Sequence, residues 1–240
     1  MTKRPKGLLL DYGGTLVEDV RFDPRAGYAW LLTRAAHRPA NVTLEHVLAR
    51  AERVAAKLTA RRDELHLEVP WPTVARLVHD FLGVRFEEPM PELELGFWKA
   101  SVATRPKRGA RDALERLHRS GVPIAVVSNC AFGEHVVRHD LAQHGLTEHL
   151  AYIMVSAEYS VRKPNVLLFE TAAARLGIEP RDIWFVGDRL DTDVPGAKEA
   201  GMTAVWLSST AAEGSTTHDP DLTVLDWDHL VQRYFDAYVN

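Results

Sequence analysis

Gly7-Leu8-Leu9-Leu10-Asp11-Tyr12-Gly13-Gly14-Thr15-Leu16 is the stretch whose reading decides the fold. A short apolar run that ends in an acid and two glycines has the pattern of a buried strand entering a loop. Asp11 therefore stands at a strand's C-terminal end. Beyond Pro106 the same kind of strand recurs between amphipathic helices: helix 110–120, strand 123–128, helix 133–144, strand 152–155, helix 166–176, strand 183–186, helix 196–200 and strand 204–207, then a strand-helix pair over 222–238. Such alternation predicts right-handed βαβ crossovers and an α/β, doubly wound parallel sheet. Gly121, Gly145, Gly177 and Gly201 fall where helices end in a left-handed residue.

The part between the first strand and this array is different. Positions 26–36, 44–62 and 74–82 are rich in Ala, Leu and Arg at helical spacing, and no convincing strand interrupts them. Pro24, Pro39, Pro70, Pro72 and the run Glu87-Glu88-Pro89-Met90-Pro91 suggest the turns. The expectation is a helical insertion over 21–99 within a core formed by 1–20 and 100–240.

Composition excludes several classes. The 240 residues are 46% hydrophobic and 26% charged, enough to bury a core, and the net charge of −4 with mixed signs offers no basic stripe for nucleic acid. The single cysteine, Cys130, rules out an internal disulfide and a multi-cysteine zinc cluster, so the expected location is the cytoplasm. No apolar run reaches the ~18 residues that a membrane span needs. Oligomeric state is not legible from these residues.

Ligands of open parallel sheets bind beyond the carboxyl ends of the strands, so the polar residues are read strand end by strand end. The first strand ends at Asp11 to Thr15, the second at Ser128-Asn129, and the fourth at Gly187-Asp188, followed by Asp191 and Asp193; Lys163-Pro164 precedes the helix leading to that last strand. Carboxylates with a backbone carbonyl form a hard oxygen site suited to Mg²⁺. Lys163 and the metal would neutralise a phosphoryl group whose oxygens Ser128 and backbone N–H groups hold. Asp11 is then placed to attack phosphorus and form an aspartyl-phosphate.

Taken alone these residues have plainer readings. Asp11 and Thr15 are ordinary caps, Ser128-Asn129 a routine loop start, Lys163 a solvated charge, and Asp191 an exposed residue beside Asp188 and Asp193. The eleven histidines are scattered, and the i, i+4 pair His135 and His139, with Asp140 beside it, reads first as a solvated helix face. Cys130 reads as a small buried residue, and Trp30, Trp71 and Trp98 as packing. Tyr12 should point away from Asp11, in the direction of the insertion.

In this order the four motifs resemble the haloacid dehalogenase (HAD) superfamily, over nearly the whole chain. Asp11 to Leu16 is similar to its nucleophile loop, Val127-Ser128-Asn129 to its phosphate-binding strand end, Arg162-Lys163-Pro164 to its lysine motif, and Gly187-Asp188-Arg189-Leu190-Asp191-Thr192-Asp193 to its acidic metal loop. The resemblance implies a Mg²⁺-dependent hydrolase of small phosphorylated metabolites, with the 21–99 insertion as a helical cap over the site. It implies Asp11, Lys163 and Ser128 as catalytic residues, and Thr15, Ser128, Asn129 and Lys163 around the phosphate. Asp11, the Gly13 carbonyl, Asp188 and Asp193 would hold the metal.

One position departs from the pattern. The family's phosphatases usually carry a second Asp two residues after the nucleophile, as proton donor and then base; here it is Gly13. General acid–base help is worth about 10²–10⁴-fold, so three readings follow. The first is a phosphatase that manages proton transfer otherwise, as some sugar-1-phosphate phosphatases of the superfamily do with glycine there. The second is a phosphonatase-like enzyme with a Schiff-base lysine, for which Lys57 and Lys99 are the candidates. The third is a protein that binds a phosphorylated ligand without turnover. The dehalogenase branch also lacks that Asp, but the acidic pair Asp188 and Asp193 favours metal and phosphate.

Overall fold

The computed structural model describes residues 3–60, 62–208 and 219–237. β1 (Gly7–Leu10) leads into β2 (Val17–Phe22), and five helices follow: α1 (Pro24–Arg34), α2 (Leu44–Thr59), α3 (Arg62–Leu65), α4 (Trp71–Leu82) and α5 (Met90–Ser101). The chain returns along β3 (Val102–Pro106), antiparallel to β2, and then alternates through α6 (Ala110–Arg119), β4 (Ile124–Ser128), α7 (Glu134–Gln143), β5 (Leu150–Val155), α8 (Ser156–Tyr159) and α9 (Val166–Leu176). It closes with β6 (Ile183–Gly187), α10 (Asp193–Glu199), β7 (Thr203–Leu207), β8 (Leu222–Val224) and α11 (Trp227–Asp236).

Strands β5-β4-β1-β6-β7-β8 form one sheet in that order, and its neighbours pair in parallel. The chain winds outward from β1 through β4 and β5, then crosses to β6 and winds the other way. This is the doubly wound α/β fold, and its switch point lies at β1 and β6. Period-2 alternation splits the strands between two cores. Leu8, Leu10, Ile124, Val126, Trp184 and Val186 face one, with α6, α7 and α11; Leu9, Ala125, Val127, Ile183 and Phe185 face the other, with α9 and α10. Fully burying each Leu of β1 contributes about 1.5–3 kcal/mol. Gly121, Gly145, Gly177 and Gly201 all have positive φ.

Several elements end elsewhere than the sequence pattern predicts. Helix α5 starts inside the run expected to be a turn, because Pro91 falls in its first turn, where a missing N–H costs nothing. For the same reason α4 begins at Trp71 with Pro72 in its first turn, earlier than position 74. α10 begins at Asp193 rather than 196, which draws that acid to a helix start. The β2–β3 ribbon was not anticipated, since charged residues on its exposed side hide the alternation. The end of the 222–238 pair, Tyr238, and His218 lie outside the described residues.

Between β2 and β3 the helices enclose a core of their own, with Tyr28, Leu31, Val47, Trp71, Val78 and Phe97 in it. Phe132 and Val136, from the segment after β4, complete that core and tie it to the sheet. No helix of the described residues is long and apolar enough to cross a membrane.

His79 gives this helical core a pH dependence. It is buried against Phe86, with ring centroids 4.8 Å apart, and its Nε2 has no hydrogen-bond partner among the described residues. Burial pushes its pKa down from 6.5 to about 4. The unfolded chain therefore takes up a proton that folded His79 refuses, and stability falls as pH drops below 6.5 until the folded group titrates near 4. At ~1.4 kcal/mol per unit the loss reaches about 2 kcal/mol at pH 5. Replacing His79 by Leu is expected to flatten the fall of the urea midpoint between pH 7 and pH 5 by that amount; an unchanged slope would contradict it.

Candidate active site

The ends of β1 and β6 bring the polar residues together. Asp11, 5% exposed, donates its backbone N–H to the carbonyl of Val186 at 2.9 Å, which fixes the first strand end to the other. The chain then turns tightly: the amides of Leu16 and Val17 bond the Tyr12 carbonyl, and Gly14 bonds that of Val17. Thr15 is fully buried, and its carbonyl accepts from the Trp227 indole at 3.1 Å.

Two glycines make room for the acids, a role that the sequence reading did not assign. Gly14 has φ +85°, and a Cβ there would sit 2.2 Å from a carboxylate oxygen of Asp188. A Cβ on Gly187 would sit 2.1 Å from Asp193 Oδ2. At Gly13, by contrast, an added Cβ meets nothing within 4 Å.

Lys163 lies at the centre. Its Nζ is 2.6 Å from Asp11 Oδ1 and 2.8 Å from Asp193 Oδ1, and the side chain is 2% exposed, which rules out a solvated surface charge. Asn129 holds it there: its amide donates to the Lys163 carbonyl at 2.9 Å and accepts from the Lys163 N–H at 2.7 Å. Those bonds make Asn129 a positioning residue for the lysine. Asp193 Oδ2 accepts the Arg189 amide at 3.0 Å, and the Thr15 hydroxyl reaches Asp188 Oδ1 at 3.5 Å. Ser128 is buried at the end of β4 and lines the same cavity. Asp191 turns outward to Arg189.

Asp11, Asp188 and Asp193 each offer an oxygen within 4.8 Å of the others. Burial raises the pKa of all three; Lys163 opposes this, and mutual repulsion adds to it, bringing Asp193 up to about 6. Burial also works against the charge on Lys163, but Asp11 and Asp193 outweigh it and keep the ammonium protonated. One ammonium among three carboxylates leaves the cluster short of positive charge. An all-oxygen, anionic donor set of this kind fits a hard divalent cation such as Mg²⁺.

A cavity of about 710 Å³ opens over these groups, between the sheet and the helical segment. Its further walls include Phe22, Trp98 and Phe132. Lys57 and Lys99 are exposed and do not line it, so the phosphonatase reading lacks its lysine. Cys130 does line it, but burial pushes its thiol up to about 12, which makes it unreactive. Trp71 and Trp98 pack in the helical core, as expected.

Tyr12 points away from the Asp11 carboxylate, but to α7 rather than to the helical insertion. Its hydroxyl donates to Asp140 Oδ2 at 2.5 Å, and Thr104 of β3 donates to the same carboxylate at 2.8 Å and contacts His144 Nε2 at 2.8 Å. Asp140 is 4% exposed, so the expected solvated face of α7 is wrong at this residue. The signal was hidden because the partners lie 128 and 36 positions away.

Residues 5–201 match the family model of haloacid dehalogenase-like hydrolases. The chain belongs to that family of hydrolases. It is 32% identical over 113 residues to a phosphoserine phosphatase of Thermus thermophilus, a match covering 47% of this chain and 45% of that protein. The chain spans about half the length of the curated relatives it matches. Among solved structures it resembles a 2-haloacid dehalogenase from Pseudomonas syringae, with TM-score 0.64 and 18% identity, covering 98% of this chain and all of that one. It also resembles a HAD phosphatase from Thermococcus onnurineus, with TM-score 0.59 and 20% identity over 97% of both chains. At these identities the structural likeness establishes the fold alone.

Proposed function

We propose that the protein is a Mg²⁺-dependent phosphomonoesterase acting on small phosphorylated metabolites through Asp11. The observation that carries this reading is the buried cluster of Asp11, Asp188 and Asp193 around Lys163, with more carboxylates than one ammonium neutralises. Dehalogenation of a monoanionic acid has no use for an added divalent cation, whereas a phosphate dianion does. The phosphatase names of relatives such as the Thermus protein agree with it.

Asp11, Asp188, Asp193 and the Gly13 carbonyl would hold Mg²⁺, which when bound lowers the negative charge that the incoming phosphate meets. Asp11 Oδ1, 2.6 Å from the ammonium, is oriented for in-line attack on phosphorus, and Lys163 favours its anionic form against the burial that raises its pKa. Lys163 also neutralises charge on the phosphoryl oxygens as the ester bond breaks. Ser128, which lines the cavity, would hold those oxygens, Asn129 keeps the lysine in place, and the fully buried Thr15, which does not line the cavity, supports Asp188 instead. Water then cleaves the aspartyl-phosphate. The helical segment of residues 21–99 acts as the cap that covers the cavity and selects the alcohol portion of the ester.

A panel of phosphate esters assayed with and without Mg²⁺ tests the reading. Turnover should depend on the metal, and Asp188→Ala should weaken that dependence; no turnover of any ester in Mg²⁺ would sink the proposal. Gly13 lends itself to a second measurement, because the space around it accepts a side chain. Gly13→Asp is expected to speed hydrolysis of alkyl phosphates by about 10–10²-fold, within the range of general acid–base help, and of nitrophenyl phosphate much less. Equal changes for both leaving groups would show that proton transfer is not what this position lacks.

A further inference from the structure

An alcohol leaves phosphorus slowly as an alkoxide, so the ester oxygen needs a proton while its bond breaks. Neither the nucleophile nor the cation set supplies one: Asp11 attacks, Lys163 is held between Asp11 and Asp193, and Asp188 and Asp193 belong to the metal. Two further carboxylates line the cavity, Glu18 and Asp19, both on β2.

The start of β2 is pinned to the nucleophile loop. Val17 bridges Gly13, its N–H donates to the Tyr12 carbonyl at 3.1 Å, and its own carbonyl accepts from Gly14 at 2.7 Å. Asp19 stands two residues further along the strand, about 7 Å by the usual rise, and alternation puts it on the same side as Val17. Across the ribbon it faces Thr104 of β3. Thr104 and Tyr12 both donate to Asp140, at 2.8 and 2.5 Å, so the residue after the nucleophile and the residue opposite Asp19 share one buried anchor. The ribbon at Asp19 is therefore held in register with Asp11.

The two carboxylates differ in what they touch. Glu18 is bonded to Arg105 at 2.7 Å and lies 4.0 Å from Lys107, and these cations hold its carboxyl below the ordinary range. Among the described residues no hydrogen-bond donor or cation is paired with the Asp19 carboxylate, and Arg21, two positions on, turns to the Ala100 carbonyl at 3.3 Å. Partial burial and the charge of Asp140 raise the Asp19 pKa. A phosphate dianion in the same cavity acts in the same direction.

We infer that Asp19 is the proton donor to the leaving alcohol and then the base for the hydrolytic water. The inference rests on the phosphomonoesterase reading and adds a catalytic residue to it. As the Asp11 oxygen bonds to phosphorus and the ester P–O bond breaks, the Asp19 proton passes to the departing oxygen, which leaves a neutral alcohol and an Asp19 carboxylate. Water then attacks phosphorus and gives a proton to Asp19, the bond from Asp11 to phosphorus breaks, phosphate departs, and both acids regain their starting states.

Kinetics of wild type and Asp19→Asn in Mg²⁺, on 2-hydroxyethyl phosphate and on nitrophenyl phosphate, test it. kcat/KM covers the steps up to loss of the leaving group. Asparagine has no proton to give, so kcat/KM for the alkyl ester should fall at least about 10²-fold, and that for nitrophenyl phosphate, whose leaving group departs as an anion, by less than about threefold. Removing an unpaired acid near Asp140 should hold or raise the melting temperature, which separates lost chemistry from lost structure. Gly13→Asp offers a donor to the same oxygen, so in the Asp19→Asn background it should speed the alkyl ester by a larger factor than in wild type. Glu18→Gln should leave the ratio of the two esters unchanged. Equal losses on both esters, no loss on the alkyl ester, or an equal shift of the ratio by Glu18→Gln overturns the assignment, while turnover of nitrophenyl phosphate keeps the phosphatase reading. No turnover of either ester by the wild type overturns both.

Discussion

Replacing Asp11 by Asn is expected to lower turnover of an aryl phosphate by roughly 10⁴-fold or more, the scale seen when a covalent nucleophile is removed. The substitution keeps the side chain's size and shape. Lys163 retains Asp193 at 2.8 Å, and the backbone bond from Asp11 to Val186 does not involve the carboxylate. The fold should therefore persist, and the melting temperature in EDTA should not fall. It should rise or hold, because a buried acid whose pKa is raised by burial is replaced by a neutral amide. Acid quenching of the wild type during turnover should reveal a phosphoryl group on Asp11, detectable by intact mass, and the variant should show none. Turnover within tenfold of wild type would remove Asp11 from the mechanism.

The reason that much of this was legible before any coordinates lies in where the residues sit. A parallel strand buried on both faces must be apolar, so the first polar residue after it marks its end. Leu8 to Leu10 and then Asp11, or Ile183 to Val186 and then Asp188, announce both the sheet and the site. What the residues did not announce depends on distance in the chain. Lys163 before a proline looks like any surface lysine until Asp11 and Asp193, 152 and 30 positions away, close around it. Asp140 looks like part of a polar helix face until Tyr12 and Thr104 reach it.

The role of glycine is hidden for a related reason. Gly14 and Gly187 read as loop punctuation, yet each is required by an approaching carboxylate that local sequence does not reveal. Proline acts in the opposite direction: Pro72 and Pro91 suggest turns in the sequence, although each sits in the first turn of a helix.

Lys163→Met separates the structural from the chemical part of the cluster. The ammonium is 2% exposed, so its desolvation is costly, and its two ion pairs offset that cost. Methionine has similar length and no charge. It leaves Asp11, Asp188 and Asp193 facing one another with no cation between them, and breaking one side of a buried ionic arrangement typically costs about 3–5 kcal/mol. In EDTA near neutral pH the urea midpoint should fall by an amount in that range. The loss should shrink as pH drops through 6, because Asp193 already has a pKa near 6 with the lysine present and protonates more readily without it. Added Mg²⁺ should return part of the stability, since a divalent cation relieves the same repulsion, while hydrolysis stays at least about 10²-fold down for want of charge on the phosphoryl oxygens. A stability change below about 1 kcal/mol in EDTA would mean that the three acids are not charged together in the metal-free protein. The excess negative charge that argues for the cation would then be absent, and the case for a metal-assisted phosphatase would rest on its relatives alone.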